Sequence, residues 1–298
     1  MKYKTFLEQA IDLHVHVGPE IIPRKFNLSE LINYESGKIK GMAIKNHFFP
    51  TVSLDRPVPK IGDPLIIDSV VLNNYVGGFN SDIILASAEL SKNPIIVWFP
   101  TLHAKNSLKS QKFEIPKEWI GFQNRNKLKS RYTKDIGELS VINRCNKISK
   151  KVDKILSTIK DSNAILATGH ISWLEALVLI KRASTKFGIE KIIVTHPIYQ
   201  KINMPISVQK ELGRMGVFLE HSYSMYSIDK ISISKIAKQI KEVGPKYCIL
   251  SSDVGQIFSK SPSESLADFI CLLEGEGIKS GEIKTMLVDN PKRLLNLK

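Results

Sequence analysis

Seven histidines and one aspartate carry most of the chemistry this sequence could perform. His14 and His16 form an HxH pair in Asp12-Leu13-His14-Val15-His16, and Lys45 and His47 repeat the spacing. Side chains alternate along a strand, so each pair would face one way. His103 stands in PTLHA, His170 in ATGHIS, His196 in VTHP, His221 in LEHSY and Asp253 in LSSDVGQ. A lone histidine is more often a surface or satisfied core residue, and a lone aspartate a turn or helix cap. As a set they read differently. Neutral imidazole is the commonest nitrogen donor to zinc-like ions, and an open metal site also needs a carboxylate as ligand or base.

The elements that must position these residues are short, β-rich apolar runs. Strands are expected near 10–16, 41–46, 68–73, 94–99, 164–168, 191–195, 216–220 and 247–252. Helices are expected near 80–91, 145–160, 172–186, 205–213, 229–242 and 262–274. Strands alternating with helices imply parallel βα units, and eight strands close a barrel. An open doubly wound sheet would show a glycine-rich phosphate turn after its first strand, whereas HVHVGPE has one glycine. The expected fold class is therefore α/β, a (β/α)8 TIM barrel of parallel strands spanning 1–298 as one domain. A basic insertion, 104–144, follows strand four as a lid. All seven histidines then fall at or just past a strand's C-terminal end, the face where barrel enzymes place their chemistry.

This pattern resembles the amidohydrolase superfamily of metal-dependent hydrolases, in particular its phosphotriesterase-like and dihydroorotase-like branches. The resemblance rests on His14-Val15-His16 on strand one, His170 and His196 after strands five and six, and Asp253 after strand eight. Asn290-Pro291-Lys292-Arg293-Leu294-Leu295 is similar to that superfamily's closing helix. It implies that His14, His16 and Asp253 hold one divalent metal, zinc foremost, with manganese, nickel, cobalt or iron as alternatives. A second ion would sit on His170 and His196. Binuclear members usually take a bridging carboxylated lysine or glutamate from strand four, but that strand ends WFPTLHA here. Lys45 is the replacement candidate: a carbamate bridge, an anion-binding ammonium or a structural ion pair.

The resemblance further implies hydrolysis of an amide, a lactone or ester, or a phosphoester by metal-activated water, with Asp253 as general base. Substrate contacts are expected from Glu20, Arg24, His47, Asn73, Asn74, His103, His221 and Tyr223, with Gly77-Gly78 at the third loop. His47 is open between ligand, substrate contact and support, and His103 and His221 between substrate contact and a structural role. A mononuclear decarboxylase or hydratase of the same superfamily is one alternative. A phosphoesterase of the polymerase-and-histidinol-phosphatase family is another, although that family closes on Asp-x-His and this chain has Asp253-Val254-Gly255.

Composition bounds these readings. The chain has 298 residues, net charge +14, 43% hydrophobic and 24% charged residues, which fits a globular protein with its own core. Residues 104–161 hold 15 of the basic side chains against 6 acidic ones, so most of the excess charge is local. It would attract an anionic small-molecule substrate. With Trp119, Phe122 and Tyr132 interleaved it also allows a distant alternative, a nucleic-acid binder. Three scattered cysteines suggest neither disulfides nor a cysteine zinc site. No apolar run approaches the ~20 residues of a membrane span, and the first residues lack a secretory core. A cytoplasmic protein without membrane contact is expected, able to assemble as a homo-oligomer.

Overall fold

The computed structural model describes residues 4–108, 137–143, 145 and 147–297. Its strands are β1 (Ile11–His16), β2 (Gly41–Lys45), β3 (Leu65–Ile67), β4 (Ser69–Val71), β5 (Ile96–Trp98), β6 (Ile165–Ala167), β7 (Ile192–Val194), β8 (Phe218–Ser222) and β9 (Cys248–Ser251). All neighbours pair in parallel, in the orders β1-β2-β3 and β4 through β9. β3 and β4 are one stave broken at Asp68. Its carboxylate is turned to Thr51, Arg56 and Ser91, which interrupts the ladder between them. The ring closes where Asp253 N donates to His14 O (2.9 Å) and His16 N to Val254 O (2.8 Å). The fold is a (β/α)8 barrel with a basic stretch after its fourth stave, and the third stave begins and ends earlier than the sequence suggested.

Helices cover the outside because their apolar residues recur on one face. Residues Lys150–Asp161 bury Val152, Ile155, Leu156 and Ile159, with Ser149 as N-cap. Residues Ile233–Val243 bury Ile236, Ala237, Ile240 and Val243. Trp173–Phe187 starts on a Ser172/Glu175 capping box and stops at left-handed Gly188. The Glu175 carboxylate also accepts from Ser140 Oγ (2.6 Å) and Val141 N (3.2 Å), tying the end of the basic stretch to the barrel. The start of that stretch, Lys105–Leu108, runs beside the same segment through Lys105 N to Leu139 O (2.8 Å). Trp119, Phe122, Tyr132 and the rest of the expected lid lie outside the described residues.

The barrel interior has two layers. The lower one is apolar: Ile11, Leu13, Ala43, Ile67, Ile96, Trp98, Ile165, Ile193, Phe218 and Ile249, with Leu294 and Leu295 of the helix Asn290–Leu295 joining it. Asn290 anchors that helix by donating to Cys248 O (2.7 Å) and Pro245 O (3.0 Å). The upper layer is polar. Among the described residues no helix is long and apolar enough to cross a membrane.

Candidate metal centre

The polar layer begins with an irregularity. Pairing of β1 with β2 shifts between Asp12 and Val15, so Leu13 joins the apolar layer while the next residue, His14, also reaches the interior. The Asp12 carboxylate pins this bulge by accepting from His14 N (3.1 Å) and Ser252 N (3.0 Å). Burial, helped by nearby Glu220, pushes Asp12 up to about 7. Gly255 lets the segment after Asp253 pass close to β1: at φ +149°, a Cβ there would stand 2.2 Å from His16 O. His196 and Asp253 both adopt left-handed backbone, at φ +49° and +50°. Such conformations cost energy in non-glycine residues and persist only where surroundings impose them.

Asp253 is the centre of the cluster. Its Oδ1 lies 3.1 Å from both His14 Nε2 and His16 Nε2, and its Oδ2 lies 3.3 Å from His196 Nε2. Ser224 Oγ donates to Oδ2 at 2.6 Å. Burial works against the Asp253 charge, but His14 and His196 outweigh it and hold the carboxyl well below its ordinary range. Burial lowers His14, and burial with the Arg24 charge lowers His16 further, which favours the neutral imidazoles that metals require. Burial also opposes protonation of His196, but Asp253 prevails and raises it.

The donor set fits a divalent cation. Ligand atoms of His14, His16 and Asp253 lie within 4.8 Å of one another and all three residues are held in the barrel. His14 Nδ1 faces the Glu220 carboxylate at 2.9 Å, so that nitrogen carries the proton and Nε2 presents a lone pair. Lys45 Nζ, itself buried, sits 2.9 Å from that Nε2 and uses its lone pair, so Lys45 must give up this contact before His14 can hold an ion. His16 differs, because Arg24 Nη2 is 3.2 Å from its Nδ1. Arg24 must yield this contact for His16 to serve as a neutral Nε2 ligand.

The remaining expected residues divide. His170 flanks His196, with ring centroids 5.7 Å apart, but belongs to none of the ligand groupings among the described residues. His47 lies 4.7 Å from the His16 ring and its Nδ1 is 3.1 Å from Thr101 Oγ1. Burial, with His16 beside it, takes its pKa well down. Glu20 and Arg24 form a buried ion pair with each other (2.5 Å), and Glu20 also accepts from His47 N. His103 packs edge-on against Tyr75 (4.8 Å) near this side.

Four of the residues expected to contact substrate are used elsewhere. Asn73 is fully buried and clips two loops together, donating to His47 O and Thr101 Oγ1 and accepting from Thr101 N. Asn74 donates to Gly137 O (2.6 Å), holding the end of the basic stretch. His221 lies on the outer face of β8, since Glu220 and Ser222 on either side of it point inward. Burial there takes it down to about 4. Tyr223 opens the short helix Tyr223–Ser227 and turns into the helical layer, its hydroxyl donating to Asp268 (3.1 Å) and its ring against Phe269.

Sequence reasoning missed Glu220, Trp98, Ser222, Ser224 and Ser251. Glu220 is 2% exposed and accepts from His14 Nδ1 and from Ser251 Oγ (2.8 Å). Burial alone would raise it, but His14 keeps it below its ordinary value. The signal was a single acid inside the apolar strand GVFLEHS. Trp98 fills the last inward position of β5, 5.4 Å from the His14 ring and 5.0 Å from Lys45 Nζ.

Residues 9–220 match a family of unknown function, DUF6282. No curated protein matches the chain in sequence. Among solved structures, an amidohydrolase from Pseudomonas aeruginosa superposes with a TM-score of 0.63 at 9% identity, over 98% of this chain and 97% of that one. The probable dipeptidase PvdM from Pseudomonas aeruginosa gives 0.60 at 12% identity, over 99% and 97%. Dihydroorotase from Campylobacter jejuni gives 0.55 at 12% identity, over 98% and 84%. At these identities the likeness is one of fold.

Proposed function

The chain belongs to the DUF6282 family, and from that premise and the barrel's polar mouth we propose a metal-dependent hydrolase of amidohydrolase type. The observation that carries the reading is the Asp253 carboxylate, within 3.3 Å of the Nε2 atoms of three histidines on one buried layer. His14, His16 and Asp253 would hold a divalent ion, with zinc the best match to two imidazoles and a carboxylate. When bound, the ion polarises a substrate oxygen and lowers the pKa of water from ~16 towards ~7.

The protein's own groups do the rest. Asp253 takes the proton from water at one carboxylate oxygen and returns it to the leaving group, while Ser224 Oγ keeps the carboxylate from rotating away. The scissile bond is that of an amide, a lactone or ester, or a phosphoester. The substrate is a small anionic molecule: Arg24 Nη1 is buried with no hydrogen-bond partner among the described residues, beside His16 and His47. A substrate carboxylate or phosphate oxygen would satisfy it.

A one-ion site is favoured by Trp98, which leaves no bridging ligand at the end of β5. A second ion on His170 and His196 requires Lys45 to carry a carbamate, which would replace a cation with an oxygen donor. Metal analysis of the purified protein tests the proposal directly. About one equivalent of zinc or manganese, and a higher melting temperature on adding it, are expected. Absence of both bound metal and any thermal shift would remove the reading.

A further inference from the structure

Behind the imidazoles a hydrogen-bonded chain continues from the His14–Glu220 contact to a second histidine. His196 Nδ1 is 3.1 Å from Ser222 Oγ, Ser222 Oγ is 2.8 Å from Ser251 Oγ, and Ser251 Oγ donates to Glu220 Oε1 at 2.8 Å. The same Oε1 faces His14 Nδ1 at 2.9 Å. Glu220, His14, Ser222 and Ser251 are all buried at 2% exposure or less.

The proton positions in this chain follow from its two ends. A carboxylate only accepts, and an ammonium only donates. Lys45 Nζ lies 2.9 Å from His14 Nε2, so Nε2 accepts and the ring's proton must sit on Nδ1, pointing at Glu220. From the carboxylate outward, Ser251 spends its proton on Glu220, so its oxygen is left to accept from Ser222. Ser222 spends its proton on Ser251, so its oxygen is left to accept from His196 Nδ1. Each hydroxyl has one proton, and the order cannot be reversed without leaving the buried carboxylate facing an oxygen lone pair.

We propose that Glu220 is a positioning residue which, directly and through Ser251 and Ser222, holds a proton on Nδ1 of both His14 and His196 and so turns Nε2 of each ring to Asp253. One carboxylate on β8 thereby sets the donor atoms of two staves, β1 and the end of β7, that do not touch each other's ladder. In the metal reading above, on which the functional value of this arrangement rests, it also raises the basicity of His14 as a ligand. The tautomer assignment itself needs neither metal nor substrate.

The test uses metal-free, full-length protein labelled with 15N at histidine, with ring nitrogen shifts read by two-bond correlation NMR and zinc affinity measured by competition with a chelator. In the native protein, His14 and His196 should both carry the proton on Nδ1. Ser222→Ala should release His196 and leave His14 unchanged. Glu220→Ala should release both rings and lower zinc affinity by about 10–100-fold. Glu220→Gln, whose amide oxygen can still accept, should restore the ring signatures while recovering only part of the affinity. A merely structural glutamate would not produce this graded, ring-specific pattern. Native rings that lack the Nδ1 proton, or rings that stay the same in folded Ser222→Ala and Glu220→Gln alike while Glu220→Ala also changes nothing, would overturn the proposal. Should Glu220→Ala not fold, the contrast between His14 and His196 in Ser222→Ala decides alone. Ring signatures as expected with no zinc binding would sink the hydrolase reading and leave the relay standing. Zinc binding without those signatures would do the reverse.

Discussion

Phe218 and Glu220 stand two residues apart on β8, point the same way and are almost equally buried, at 3% and 2% exposure. Phe218 lies among Ile193, Ile249 and Leu13, whereas Glu220 lies among His14, Ser251 and the lysine and aspartate beyond them. The lower layer stabilises the barrel, because removing apolar surface from water is favourable by roughly 25 cal/mol per Å². The upper layer gives no such return. Buried charges cost several kcal/mol each unless paired, and a network left half-satisfied is worse than an apolar core. A fold needing only stability would have continued the isoleucines upward. That the same staves change chemistry within two residues is the physical sign of a site.

The sharpest way to break this contrast is at Asp253. Asp253→Asn should fold with a melting temperature close to that of the native protein and lose about 10²–10⁴-fold in turnover, the usual value of a positioned base. Assay against a panel of esters, lactones and phosphoesters, with circular dichroism on the same sample, checks both halves; full activity would sink the base assignment. The converse lesion is Phe218→Ala. It should cost about 3–5 kcal/mol in urea denaturation, as large-to-small core changes do, while the folded fraction keeps its metal stoichiometry. Loss of metal from folded Phe218→Ala would show that the two layers are not separable.

How much of this was legible beforehand differs between the same two layers. The eight staves and their order could be read, because each is a short β-branched run and the helices between them show a helical period. The histidines at the stave ends could be read for the same reason. What failed was facing. A one-residue shift turns every side chain of a strand to the other side, and LEHS offers two chemical candidates in adjacent positions. The histidine of this pair is the one its chemistry singles out, whereas the barrel turns Glu220 inward. The β1 bulge is equally silent in the sequence, since Asp12 makes it by bonding to Ser252, 240 residues away. Tyr223 reads as a loop residue from its position after a strand, but it begins a helical turn whose partner, Asp268, lies on another helix.

Gly255 lies against His16 in the upper layer and yields a smaller effect. A Cβ at this residue would meet His16 O at 2.2 Å, so Gly255→Ala must push β1 away from Asp253. Strained backbone of this kind costs of order 1–3 kcal/mol. The expected result is a moderate fall in thermal stability with a larger fall in zinc affinity, because the displaced atom belongs to a ligand residue. Titration calorimetry and thermal melts on one preparation separate the two. Equal losses would mean that the strain spreads through the barrel rather than falling on His16.

The smallest effect is expected far from both layers, on the helical exterior. Asp153 accepts two bonds from Arg182, at 3.0 and 2.7 Å, and one from Lys186 at 2.9 Å. The Arg182 bonds lead in pulling its carboxyl down to about 2; burial opposes them, and the Lys186 bond and both charges add to the fall. An unfolded aspartate titrates near ~3.9, so the folded pKa is the lower of the two. The stabilisation is then fully present above that unfolded value and is lost as pH falls from about 4 to about 2. Both basic partners are substantially exposed, and exposed pairs of this kind are screened by solvent and salt. Asp153→Asn should therefore lower the denaturation midpoint slightly at pH 7, less at high salt, and leave turnover and metal content unchanged. Its stability curve should converge with that of the native protein as pH approaches 2. The contrast with Glu220 is one of surroundings: each carboxylate has two or more donors, but only the buried one has no water to replace them.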